Sequence, residues 1–272
     1  MTAGCQWNTR VGPHPRGKRA IRRGMSVIEL LVVMGIIAFL IALLLPSLAV
    51  SRKNAILVLC ANNQKHLGTA IHTYAIDHNQ KIPYGPKADP SSIADFYVVD
   101  GMVTSQISLL NGGQPVGIGL LLRNYVAWNP EILFCPDADQ PFNADRELER
   151  FGTTQAVSGY FYRHGSNTLE SLSKPPETWD DHIRLPDLGM NRNGERIKAL
   201  LLDQNFVVNP PLPQFNVITR TNHELRRTNA LFADGSVMTL DNSDGRYTAD
   251  IGNVLQRGPD KILAALEWAD RQ

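Results

Sequence analysis

The residue types that could do chemistry in this sequence are two cysteines, a histidine and a few aspartates. Asp203, His223 and Asp234 could supply metal ligands or a hydrolase site, because imidazole and carboxylate groups serve in both. The motifs H-E-x-x-H, G-x-S-x-G and CxxC are absent, and so is a phosphate-binding loop. A turn explains Asp234, a hydrogen bond or a surface position explains His223, and His164 and His182 fall in polar loops. We therefore expect no enzymatic activity.

The cysteines allow two interpretations. Cys5 lies in an N-terminal segment that we expect to be removed, so the mature chain keeps Cys60 and Cys135. An even number of cysteines in an oxidising compartment favours a disulfide. On the chain-entropy account this bond would stabilise the fold by roughly 3 to 4.5 kcal/mol. Two buried free thiols are the alternative, because the sequence does not show whether the two Cα atoms lie within reach.

The charges are distributed unevenly along the chain. Of 272 residues, 43% are hydrophobic and 19% are charged, which is the composition of a folding chain. Residues 1–24 hold six Lys and Arg and no acidic residue, whereas the remainder has 21 Lys and Arg against 26 Asp and Glu. An acidic body behind a basic head argues against nucleic-acid binding, which needs basic residues on the folded part.

An uncharged apolar segment follows the basic head. The 22 residues between Glu29 and Arg52 carry no charge. As a helix they would span about 33 Å, enough to cross a hydrocarbon core of about 30 Å. The basic head places the N-terminus in the cytoplasm and the body outside. An uncleaved signal anchor is one alternative. A secretory signal peptide cut after Ala49 is another, although this apolar stretch is longer than such signals.

The junction between head and apolar segment carries a specific pattern. Residues 22–33 read Arg-Arg-Gly-Met-Ser-Val-Ile-Glu-Leu-Leu-Val-Val, with Glu29 five residues after Gly24. This pattern resembles the N-terminus of type IV pilin and type II secretion pseudopilin precursors. The resemblance implies that a prepilin peptidase cuts after Gly24 and methylates the new N-terminus at Met25, where Phe is usual in the family.

The resemblance to pilin precursors also implies roles for Glu29 and Pro46. An acidic side chain at the bilayer centre costs roughly 2.5 to 3.5 kcal/mol without a partner. The family implies that Glu29 meets the free N-terminus of an adjacent subunit during assembly. Alternatively, Glu29 reaches the headgroups and pairs with nothing. Pro46, the 22nd residue of the cleaved chain, bends the helix as in pilins or marks its exit from the membrane.

The remaining elements form a mixed pattern. Apolar residues at helical spacing continue beyond Pro46 to about residue 78, with Gln64 on the water-facing side. Asp234-Gly235 between two β-prone runs predicts a tight hairpin. We also expect short strands at residues 132–136, 157–162 and 197–202, and helices at residues 119–125 and 255–268.

These elements predict an α+β fold, in which one long N-terminal helix packs on a small antiparallel sheet, as in pilins. The expected organisation is a basic leader at residues 1–24, a membrane and assembly helix at residues 25–50, and a folded domain at residues 51–272.

Three local sequences in the body extend the resemblance. They are Cys60-Ala61-Asn62-Asn63, Phe134-Cys135-Pro136, and the stretch from His223 to Asp234-Gly235-Ser236-Val237. They are similar to pseudopilin-like proteins with a C-terminal H-x9-DG signature, and with the junction they cover most of the chain. Ten residues separate His223 from Asp234 here, one more than in the signature.

The loop of residues 241–245 groups oxygen ligands, and major pseudopilins as a family bind Ca²⁺ near the C-terminus. The EF-hand spacing fails, because Leu240 and Ile251 stand where the first and twelfth ligands belong. A solvated turn is the favoured interpretation. We expect no cofactor, with Ca²⁺ at Asp241 and Asp244 as the alternative.

The resemblance implies a structural subunit of a type II secretion pseudopilus or a type IV pilus. Such a subunit crosses the bacterial inner membrane once and exposes its C-terminal domain in the periplasm. Its partners would be the prepilin peptidase, other pilin or pseudopilin subunits and an inner-membrane assembly platform, and no nucleic acid. One alternative is a membrane-anchored periplasmic binding module that does not polymerise. Another is an envelope enzyme that depends on His223 or Asp234.

Overall fold

The computed structural model describes residues 25–84, 104–109, 112–137, 143–163, 183–211, 218–252 and 258–272. The leader expected at residues 1–24, with its cleavage site at Gly24, lies outside these residues, as do His164 and His182. The chain forms two compact units, Met1–Ala49 and Val50–Gln272.

The first helix, α1, spans Val27–Asp77 and includes Pro46. All residues from 25 to 50 are exposed. Near the proline, the Ser47 hydroxyl donates to the carbonyl of Leu44 at 2.9 Å. Within the described residues, α1 is the one helix long and apolar enough to cross a membrane. It is compatible with single-pass membrane anchoring.

The C-terminal part of α1 has one buried face, as the sequence predicts. Its buried positions recur every three or four residues: Leu57, Cys60, Gln64, Leu67, Ile71 and Ala75. The prediction that Gln64 faces water is wrong, because its amide nitrogen donates to an oxygen of Asp203 and to the carbonyl of Asn229. A polar residue can occupy a buried helical position when its hydrogen bonds are satisfied there.

Among the described residues, seven strands follow: β1 (Thr104–Ser108), β2 (Ala156–Tyr162), β3 (Ala199–Asp203), β4 (Phe206–Val208), β5 (Arg227–Phe232), β6 (Val237–Asp241) and β7 (Ala249–Gly252). Five of them form an antiparallel sheet in the order β1-β2-β3-β5-β6. Strands β4 and β7 pair separately and in parallel. The chain is therefore α+β, and the predictions of strands at residues 157–162 and 197–202 are confirmed.

Strands β5 and β6 form the predicted hairpin, with Leu231 opposite Val237. The backbone N–H of Gly235 donates to the carbonyl of Phe232 at 2.9 Å, and Gly235 has φ of 79°. A type I turn followed by a left-handed residue is a common three-residue hairpin loop, and glycine accepts that conformation without steric cost.

Two other predictions need correction. The prediction of a strand at residues 132–136 is wrong, because its first two residues belong to a 3-10 helix, Pro130–Leu133, and residues 134–136 form no strand. Proline at its first turn fixes φ near the helical value, which favours a turn over a strand. The helix expected at residues 119–125 is a 3-10 helix, Gly117–Leu121, followed by turns.

Two α-helices complete the fold. Asn143 caps α2 (Ala144–Arg150) by accepting from two backbone N–H groups. Helix α3 spans Gly258–Asp270 and buries Ile262, Leu263 and Leu266, which confirms the predicted C-terminal helix.

Apolar clusters cover both faces of the five-stranded sheet. Tyr160 and Tyr162 pack in the cluster that includes Leu67 and Ile71 of α1, whereas Phe161 between them packs in the cluster that includes Leu263 of α3. Successive side chains of a strand point to opposite faces, so α1 and α3 cover opposite sides of the sheet.

Candidate functional site

The first member of a buried polar cluster is Cys60 on the inner face of α1. Its side chain is fully buried, and its thiol donates to Oδ1 of Asp203 at 3.0 Å. The hydroxyl of Tyr160 on β2 lies 3.7 Å from the same sulfur. Helical spacing therefore brings a cysteine against the end of β3.

Cys135 follows the 3-10 helix Pro130–Leu133 and is 5% exposed. Its sulfur lies 3.6 Å from Nε2 of His223. The two cysteines are free thiols. The ligand atoms of Cys60, Cys135 and His223 all lie within 4.8 Å of one another. The sulfurs of Cys60 and Cys135 therefore lie within 4.8 Å of each other, and a third ligand atom, from His223, lies beside them.

His223 lies between two carboxylates. Its Nε2 is 3.3 Å from Oδ2 of Asp203, and its Nδ1 is 2.9 Å from Oδ2 of Asp137. The backbone N–H of His223 donates to the same oxygen of Asp137 at 2.9 Å. Both ring nitrogens are therefore engaged, which fixes the orientation of the imidazole.

The backbone around His223 has an unusual conformation. His223, Glu224 and Leu225 have φ of 52°, 55° and 60°, a left-handed turn of three non-glycine residues. Left-handed backbone costs roughly 1 to 2 kcal/mol for each such residue. Strained backbone of this kind concentrates at functional sites, where the surrounding structure holds it in place.

Asp203 is the central acceptor of the cluster. It is fully buried at the end of β3. Its Oδ1 accepts from the amide of Gln64 at 2.8 Å, and its Oδ2 accepts from the backbone N–H of Asn229 at 2.6 Å. With Cys60 and His223, the carboxylate has partners from α1, β5 and the turn before β5.

Burial and charge shift the acidities in the cluster. Burial raises the pKa of both Cys60 and Cys135 above the ordinary thiol value. Burial alone lowers the pKa of His223, but hydrogen bonds to Asp203 and Cys60 and the charge of Asp203 outweigh it and raise that pKa to about 10. At neutral pH the two thiols are therefore neutral, and His223 carries a positive charge beside Asp203.

A pocket of about 230 Å³ lies against the cluster on the Cys135 side. Asn63 on α1 lines it and donates to the carbonyl of Phe134 at 3.1 Å. The other lining residues are Asn129, Glu131, Ile132, Phe134, Cys135, Pro136 and Ala144. Cys135 therefore has one side in the cluster and the other toward this pocket.

The structure does not bring together all of Asp203, His223 and Asp234, the residues considered for a metal or hydrolase site. The first two meet, whereas Asp234 lies in the β5–β6 turn, where its Oδ1 accepts from the backbone N–H and the hydroxyl of Ser236. Sequence reasoning missed Asp137, which stands two residues after Cys135. The adjacency of Cys135, Pro136 and Asp137 was the available signal.

The other predicted residues have local partners. Oxygens of Asp241 accept from the backbone N–H and hydroxyl of Ser243, and Asp244 pairs with Arg246. In the N-terminal unit, Met25 begins the described residues and Oε2 of Glu29 accepts from the backbone N–H of Ser26 at 2.8 Å.

Comparison with models of known families, with characterised proteins and with solved structures finds no match. The described residues thus contain one helix that is long and apolar enough to cross a membrane, and an α+β domain that holds a buried cluster of cysteine, histidine and aspartate.

Proposed function

We propose that this chain is a pilin-like structural subunit of a type II secretion pseudopilus or a type IV pilus, assembled through its N-terminal helix. The observation that carries the proposal is the exposed apolar part of α1. The large apolar side chains between Val27 and Val50 are 43% to 80% exposed. A continuous apolar surface of this size requires lipid or other helices around it.

A pilin-like subunit gives this surface two successive environments. Before assembly the bilayer surrounds the helix, and in a filament the helices of neighbouring subunits replace the lipid. Apolar residues occur around the whole circumference in residues 30–50, and a helix that is apolar on all sides is buried on all sides. The proposed filament therefore has a core of packed N-terminal helices.

Glu29 fits the proposed assembly step. Its carboxylate accepts from Ser26, one turn from the start of the helix. Removal of residues 1–24 would leave a free amine at Met25. An ammonium group of an adjacent subunit would offset the cost of placing Glu29 in an apolar bundle, and this ion pair would fix the axial register of the two helices.

The charge distribution supports the proposed orientation. The six basic residues of the leader stay in the cytoplasm under the positive-inside rule, which places the acidic body in the periplasm. In this arrangement a prepilin peptidase processes the chain in the inner membrane. An assembly platform, driven by a cytoplasmic ATPase, then extracts the subunit.

The mature N-terminus tests the proposal. We expect intact-mass and N-terminal peptide analysis of the protein from membranes of its host to show a chain that starts at N-methylated Met25. Gly24→Leu should block the cut because the peptidase needs a residue without a bulky side chain there, whereas Gly4→Leu, the matched control, should be processed. A chain that starts at Met1 and stays monomeric would overturn the proposal in favour of an anchored binding module.

A further inference from the structure

We propose that Cys60, Cys135 and His223 form a buried binding site for one transition-metal ion of the zinc class. An oxygen of Asp203 supplies the fourth ligand. This site is separate from the apolar helix that carries the proposed assembly role, and its test does not depend on polymer formation.

The distances fit tetrahedral coordination. Zinc binds sulfur at about 2.3 Å and nitrogen or oxygen at about 2.0 to 2.2 Å, so tetrahedral angles place a sulfur and a nitrogen ligand about 3.6 Å apart and a nitrogen and an oxygen ligand about 3.4 Å apart. The sulfur of Cys135 lies 3.6 Å from Nε2 of His223, and that nitrogen lies 3.3 Å from Oδ2 of Asp203. The ligand atoms of Cys60, Cys135 and His223 already lie within 4.8 Å of one another, and one oxygen of Asp203 must move toward the two sulfurs to complete the site.

The contact between Cys60 and Asp203 is shorter than the separation of two ligands in a tetrahedral metal site. The sulfur of Cys60 lies 3.0 Å from Oδ1 of Asp203, because a proton bridges them. Binding of the ion would release three protons to solvent, one from the sulfur of Cys60, one from the sulfur of Cys135 and one from Nε2 of His223. The lone pairs that now face these protons would then face the ion, and the sulfur–oxygen distance would open by about half an ångström.

The surroundings of the ligands match those of metal sites. Metal-binding histidines commonly donate their second N–H to a carboxylate, which fixes the tautomer. Here Nδ1 of His223 is 2.9 Å from Oδ2 of Asp137, so Nε2 is directed toward the sulfurs. Gln64 and the backbone of Asn229 hold Asp203. All four ligand side chains are at most 5% exposed, as in a closed structural zinc site.

A disulfide between Cys60 and Cys135 would explain fewer features of the cluster than a bound metal ion would. It would involve two of the four groups and would not explain why Nε2 of His223 lies beside the two sulfurs. It would also leave the left-handed turn at His223 unexplained. A metal ion uses all four groups and explains why the turn directs this histidine inward.

Metal content of the full-length protein, purified in detergent without chelators, tests the proposal. We expect about one zinc ion per chain by elemental analysis. After zinc removal, stoichiometric Co²⁺ should give a thiolate-to-cobalt charge-transfer band and the strong visible bands of tetrahedral cobalt. These measurements use the unmodified chain, so misfolding of a variant cannot mimic either result.

Variants then assign the ligands. Cys135→Ser and His223→Ala should abolish stoichiometric binding, whereas His66→Ala, a control histidine outside the cluster, should retain it. Asp137→Asn, which changes a positioning residue, should weaken Co²⁺ binding roughly 10- to 100-fold. Two results would overturn the proposal: a Cys60–Cys135 disulfide in the native protein, found by peptide mapping without reduction, or free thiols that bind neither Zn²⁺ nor Co²⁺.

Discussion

The sulfur of Cys135 and Nε2 of His223 lie 3.6 Å apart, although 88 residues separate them in the sequence. Cys135 follows a 3-10 helix, and His223 opens a left-handed turn just before β5. Two irregular segments thus meet at one buried point, where Asp203 at the end of β3 and Cys60 on α1 join them.

We expect Asp203→Ala to destabilise the folded domain by about 3 to 5 kcal/mol, because it removes the buried carboxylate that faces Nε2 of His223 and accepts from Gln64 and Asn229. Urea unfolding of the full-length protein in detergent measures this loss. Asp250→Ala is the matched control on β7, since Asp250 is exposed and accepts from the backbone of Gly252. The control should change stability by less than about 1 kcal/mol. Equal losses in the two variants would show that Asp203 is not a central acceptor.

Asp270 anchors the end of α3 to the sheet. Its carboxylate accepts from the buried Arg163 at 3.0 Å and from the backbone of Ala199 at 2.9 Å. We expect Asp270→Ala to cost about 3 to 5 kcal/mol, because an unpaired guanidinium would stay buried. Asp260→Ala, on the same helix, removes an exposed partner of Arg192 and should cost at most about 1 kcal/mol. Thermal and urea unfolding of the two variants should therefore differ clearly.

Asp234 should contribute a small pH-dependent component of stability. Hydrogen bonds from the hydroxyl and backbone N–H of Ser236 lower its pKa. The contribution is present above the unfolded pKa of about 3.9 and is lost as the pH falls through the lower folded value. Asp234→Asn keeps the acceptor oxygen but not the charge. The stability difference between wild type and this variant should shrink between about pH 5 and pH 2. A difference that is constant over this range would contradict the prediction.

Glu29→Ala should separate processing from assembly. We expect the variant to be cut after Gly24 and to remain in the membrane, because the apolar segment is unchanged. It should fail to form polymers, since the partner of the adjacent N-terminus is missing. Cross-linking of sheared surface material and of membranes measures the two pools. Glu149→Ala, which removes an exposed glutamate of α2, should assemble normally. Normal polymers from Glu29→Ala would remove this residue from the assembly step.

The sequence predicted the β5–β6 hairpin and the inner face of α1, because turn residues and apolar spacing within each segment determine these elements. The Asp234-Gly235 turn sets the hairpin, and helical spacing identified the inner face of α1 through Leu67 and Ile71. Gln64 was assigned to the water-facing side of α1 because it is polar. The spacing of apolar residues along the helix does not show that Asp203 and Asn229 are buried partners for it. The strand predicted at residues 132–136 was wrong because the proline at position 130 starts a 3-10 helix that includes the first of these β-prone residues.

The sequence alone did not predict that the two cysteines, Asp203 and His223 form one cluster. Asp203 and His223 could be selected by residue type, but their meeting with the cysteines depends on strand order, which no local pattern specifies. Asp234 lies in the β5–β6 turn, as its Asp-Gly sequence predicted.

The wide spacing of the cluster residues has a consequence for biosynthesis. Because a ribosome makes the chain from its N-terminus, Cys60 and Cys135 are present well before His223 and β5. During that interval the two thiols lack the shelter that the finished fold gives them and are open to oxidants. The two thiols are therefore protected from oxidation only after the C-terminal strands have folded. Oxidised sulfurs in the finished protein would indicate that oxidation was faster than folding.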